Sequence, residues 1–69
     1  MKRNYILAAE DSKGRAINLP ECSLRFHGVT FDEIRHVARG IVIGLRVKYK
    51  KPCVMIRDLD TCQCYGRIY

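Results

Sequence analysis

The apolar and polar positions divide this chain into short segments. Residues 4–9, Asn-Tyr-Ile-Leu-Ala-Ala, predict a first strand, and Asp11-Ser12-Lys13-Gly14 has the composition of a turn. Residues 15–19 predict a second strand antiparallel to the first, stopped or placed at a sheet edge by Pro20. Residues 23–28 alternate polar and apolar and suit a short third strand.

Thr30-Phe31-Asp32-Glu33 follows as a capping box, with Thr30 at the N-cap and Glu33 at the third helical position. Val29 and Ile34 occupy the two positions of a hydrophobic staple. Asp32 and Glu33 also complement the positive end of a helix. Phe31, Ile34, Val37, Ala38 and Ile41 recur at helical spacing, so a helix is expected from 31 to about 39.

Two continuations compete. In the favoured one Gly40 ends the helix, and Ile41, Ile43, Leu45, Val47 and Tyr49 alternate as the buried face of a strand. If the chain then reverses at Lys50-Lys51, residue 47 faces 54 and residue 45 faces 56. Val47, Leu45, Val54 and Ile56 then share one face, and Arg46, Lys48, Met55 and Arg57 share the other. In the alternative the helix runs on to residue 49 and buries Ile41, Leu45 and Tyr49. That form carries two internal glycines at about 1 kcal/mol each. Asp58-Leu59-Asp60-Thr61 predicts the next turn and residues 62–68 the last strand. The expected fold is one α+β domain over 1–69, a four- to five-stranded antiparallel sheet on one α-helix, in the order β-β-(β)-α-β-β-β. Ile34, Val37, Leu45, Val47, Val54 and Ile56 are its candidate core.

The length of 69 residues limits the chain to one small core, and 48% hydrophobic content is more than a disordered tail carries. Charge adds a functional hint. Residues 1–34 carry five basic and five acidic side chains, so the net charge of +6 sits wholly in residues 35–69. Such a one-sided field attracts phosphate or an acidic protein surface, although solubility alone explains many basic domains.

The apolar stretch near the start ends at Ala9, too short for a signal peptide core, and no run approaches the roughly 20 residues of a membrane span. A reducing cytoplasm is therefore the expected compartment, with the cysteines as thiols.

The candidate chemistry is sparse. Cys62-Gln63-Cys64 with Cys22 and Cys53 makes four thiols, but the closely spaced pairs of structural zinc sites are missing. Cysteine packed in the core is the commoner state, so neither metal nor disulfide is expected. His27 and His36 have no surrounding nucleophile motif, and Asp58 and Asp60 sit where turns ordinarily use aspartate. No glycine-rich phosphate loop is present. The sequence points to no enzyme, catalytic residue or cofactor, and is silent on oligomeric state.

The basic segment is the best candidate site. One helix covers one side of a sheet, leaving Arg46, Lys48 and Arg57 on the other. Tyr65 and Arg67 join them if an odd-length final turn points Cys62, Cys64 and Ile68 to the core. Arg46, Lys48, Lys50, Lys51, Arg57 and Arg67 would then meet phosphates while Tyr65 stacks on a base. The partner expected is nucleic acid, or an acidic or nucleoprotein complex. The plainer explanation is a solvated face whose cations discourage edge pairing.

Two resemblances bear on function. Tyr5-Ile6-Leu7, the capped helix and Val54-Met55-Ile56-Arg57, in their order of elements, resemble small phage-encoded anti-CRISPR proteins. That resemblance implies an inhibitor that blocks a guide-RNA-bearing surveillance complex, often at its nucleic-acid-binding surface. Asp11 to Gly14, Ile17-Asn18-Leu19-Pro20 and Gly28-Val29-Thr30-Phe31-Asp32-Glu33 are similar to the HicB-like antitoxin domain, a partial RNase H-like fold. This second resemblance covers the first half, implies an antitoxin neutralising a small toxin, and favours the long helix. The later basic segment departs from it, as does the missing C-terminal DNA-binding extension. The expected function is thus non-enzymatic binding to nucleic acid or its handling machinery, with the antitoxin as alternative.

Overall fold

The computed structural model describes residues 2–20 and 24–69. Its elements are β1 (Arg3–Glu10), β2 (Ala16–Ile17), β3 (Arg25–Val29), α1 (Phe31–Leu45), β4 (Cys53–Asp58) and β5 (Cys64–Ile68). One helix packs on a five-stranded antiparallel sheet, the expected α+β class. The β4 strand pairs along β1 from Tyr5↔Asp58 to Glu10↔Cys53, and β5 pairs with the other side of β4. Both β2 and β3 pair with β1, at Ala9↔Ile17 and Tyr5↔Phe26. Because β4 takes one edge of β1, these two short strands share the other.

Alternation along the strands separates two faces. Tyr5, Leu7 and Ala9 of β1 and Val54 and Ile56 of β4 are buried with Ile34, Ala38 and Val42 of α1. Asn4, Ile6, Ala8, Met55 and Arg57 lie on the face away from the helix. The helix begins as the capping pattern predicts, with Thr30 Oγ1 accepting a hydrogen bond from the Glu33 amide at 3.2 Å.

Its end overturns the favoured expectation. The segment from Ile41 is no strand: α1 continues to Leu45, and Val47 is 87% exposed. The pairing of 47 with 54 and 45 with 56 therefore does not exist, and only two strands follow the helix. Of the candidate core, Ile34, Val54 and Ile56 are buried, while Val37 and Leu45 are half-buried against it.

The reason is topological. With β1 on one side of β4 and β5 on the other, no edge of β4 remains for a strand at 41–49. Helical winding instead extends the buried stripe from Ile34 and Ala38 to Val42, which alternation from Ile41 would have put on the face opposite the core. Burying one valine contributes about 1.5–3 kcal/mol, comparable to the cost of two helical glycines at about 1 kcal/mol each.

Candidate functional site

The chain keeps winding after α1. Arg46 caps the helix with right-handed dihedrals (φ −61°, ψ −18°), and its amide donates to Val42 O. The Val47 amide donates to Gly44 O, and both the Lys48 and Tyr49 amides donate to Leu45 O at 3.1 and 2.9 Å. Helical spacing then sets the neighbours: Arg46, Tyr49 and Lys50 stand at i, i+3 and i+4 and share a side. Lys51 reverses the chain with a left-handed φ of 47°, and buried Pro52 leads into β4.

This connection forms one wall of a recess of about 700 Å³ lined by Arg46, Tyr49, Lys50, Lys51, Pro52 and Tyr69. No aspartate or glutamate side chain lines it. Among the described residues the ion pairs are Arg3–Asp58 and a long Arg67–Glu10 contact of 4.0 Å, and neither involves Arg46, Lys48, Lys50 or Lys51. Cations after a helix also complement its negative end. Here backbone amides already satisfy those last carbonyls, so the side chains are left facing solvent. Lys51 also borders a smaller hollow with Glu10, Asp11, Arg67 and Tyr69.

The seven residues expected on one sheet face and its adjoining turn are dispersed. Arg46, Lys50 and Lys51 meet at the recess, whereas Lys48, expected beside Arg46, is two positions on, away from the side that Arg46 and Lys50 share, and is not part of the lining. Arg57 and Arg67 lie on the open sheet face, where Arg57 borders a shallow apolar hollow with Ile6, Ala8, Met55 and Cys64.

Tyr65 is on the opposite, helix side of the sheet. Its ring lies 5.2 Å from Phe31 and 6.2 Å from Tyr5, and its hydroxyl donates to Asp58 at 3.4 Å. The pairing of β4 with β5 is the cause. The register shifts between Arg57↔Cys64 and Met55↔Arg67, with Gly66 at a φ of 92°. This bulge puts Tyr65 and Ile68 on the helix side and Cys64 and Arg67 on the other. Cys62 and Cys64 are consequently exposed rather than in the core.

Asp58, fully buried, ties the far end together. Its Oδ1 accepts from the amides of Asp60 and Thr61 at 2.8 and 3.2 Å, and its Oδ2 from Arg3 Nη1 at 3.1 Å. Burial pushes its pKa up, but the Arg3 hydrogen bond and the two amides outweigh this and hold it below the ordinary carboxylate value. Both carboxylate oxygens serve the fold, as expected of a turn-forming aspartate.

Cys53, Cys62 and Cys64 are free thiols, and Cys22 lies outside the described residues. Among the described residues no group of three or more His, Cys, Asp or Glu side chains is placed to hold a metal ion. No described helix is long and apolar enough to cross a membrane.

Tyr49, Pro52 and Tyr69 were not legible as site residues. The available signal was the spacing of Arg46, Tyr49 and Lys50 under the long-helix alternative. The chain matches no family model, no curated protein and no solved structure.

Proposed function

We propose that this domain is a non-enzymatic binding module that engages nucleic acid through the recess at the end of α1, in a reducing cytoplasm. One observation carries the reading: Arg46, Lys50 and Lys51 converge on a single recess lined by no acidic side chain, and none of them is in an ion pair among the described residues. Three cations around one concave surface suit the phosphate backbone, which supplies most sequence-independent affinity. Blocking a nucleic-acid-handling complex, as the anti-CRISPR resemblance implies, is one use of such a module.

The test is fluorescence anisotropy with a labelled oligonucleotide over a range of salt concentrations. Affinity should fall as salt rises, and reversal of Arg46 and Lys50 to glutamate should weaken binding and flatten that dependence. Reversal of Lys2 and Lys13, in the electrically balanced half, should change little. Equal effects from both pairs would reject the site.

A second reading, the antitoxin, draws on the helix continuing to Leu45, the longer form that the HicB-like resemblance implies. A small toxin gene beside the coding sequence would favour it. Neighbouring phage genes with a helix-turn-helix regulator would favour the inhibitor.

A further inference from the structure

The recess holds more than cations. Tyr49, Pro52 and Tyr69 line it together with Arg46, Lys50 and Lys51. Its volume of about 700 Å³ falls within the range of small-molecule sites, roughly 300–1,000 Å³. The two tyrosines differ in exposure. Tyr49 is half-buried and packs against the core. Tyr69 is 68% exposed at the rim. Neither ring face is used by a neighbouring ring. Among the described residues the aromatic pairs join Tyr5, Phe31 and Tyr65 at the other end of the helix.

We infer that this recess receives an unstacked base, so that the module's ligand is single-stranded nucleic acid rather than duplex; the inference rests on the phosphate-binding reading above. A base and its phosphate need an aromatic surface and a cation within one nucleotide's reach, and the recess offers both. Stacking on tyrosine tolerates any base. A paired base is already stacked between its neighbours and must be flipped out before it can enter, which penalises duplex. An acidic protein would use the cations and leave the aromatic wall without a purpose.

The experiment compares a labelled single strand of about ten nucleotides, within the usual site size, with a duplex of the same sequence. The single strand should bind roughly tenfold or more tightly. Tyr69→Ala removes an exposed ring at the rim, so the fold should survive, and circular dichroism checks this. It should lower single-strand affinity at least roughly fivefold and leave the salt slope unchanged. The slope for the native protein should be about −2, from three phosphate contacts on a single strand.

Equal binding of strand and duplex, with Tyr69→Ala neutral and Arg46 and Lys50 reversal still damaging, overturns the base site alone. Failure of both oligonucleotides to bind overturns the phosphate reading with it. Poly-glutamate of equal charge displacing the strand as well as unlabelled oligonucleotide does would also overturn the base site, because charge then suffices.

Discussion

The Arg3 guanidinium donates to the buried Asp58 carboxylate at 3.1 Å across 55 positions of sequence. The pair joins the start of β1 to the end of β4, and Asp58 also holds the β4–β5 turn through two amides. Both strands bordering the hairpin therefore depend on one carboxylate. Asp58→Asn leaves too few acceptor directions for the arginine and the amides together. The melting temperature should fall by on the order of 10 °C.

Acid should expose the same group. The Asp58 carboxylate titrates below its ordinary value in the fold, as does Asp11, whose carboxylate accepts the Arg15 and Lys13 amides. A folded-state pKa below the unfolded one means the native state binds fewer protons, so stability is gained with rising pH. Their contribution should be complete above the unfolded value of about 4 and lost as pH falls through the lower folded values. Thermal unfolding between neutral and strongly acid pH should show this loss. Asp58→Asn should have a shallower acid limb, with the Asp11 share remaining.

Gly40 distinguishes the two forms of the helix by the sign of one substitution. It is exposed within α1, and a Cβ built there meets no atom within 4 Å. Gly40→Ala should raise stability by about 1 kcal/mol in urea denaturation. Had Gly40 been the left-handed residue closing a shorter helix, alanine would destabilise instead.

Lys51 joins stability to binding. Its left-handed φ of 47° is unfavourable for a residue with a side chain, by about 1–2 kcal/mol. Lys51→Gly relieves that strain, partly offset by the greater freedom of the unfolded chain. The variant should melt at the same or a higher temperature while binding oligonucleotide several-fold more weakly. Loss of both properties would mean that the lysine serves only the turn.

Lys48 tests the winding itself. In a strand, Arg46 and Lys48 would share a face; in the observed turn, Arg46 shares its side with Lys50. Lys50→Glu should therefore weaken oligonucleotide binding more than Lys48→Glu, although the charge change is identical. Both positions are exposed, so stability should move by only about 0.5 kcal/mol.

The sequence by itself determined the local features. Thr30 and Glu33 lie close enough in the chain for the helix start to be a matter of nearby atoms. Pro20, the Asp11–Gly14 turn and the Asp58–Thr61 turn likewise act within a few residues. The placement of positive charge in the second half needs no fold at all.

Tertiary structure decided whatever depended on partners distant in sequence. Segment 41–49 satisfies a strand pattern and a helix pattern, because Ile, Val and Leu at every second or third position fit both. Only the occupation of both sides of β4 excludes the strand. Tyr65 and Arg67 differ by two positions and would share a face on a regular strand, but the shift at Gly66 separates them. The recess joins the end of a helix to Tyr69 beyond the last strand, and chain folding alone sets that meeting. Cation identity was legible because charge belongs to the residue. Cation grouping was not, because it belongs to the winding of the backbone between them.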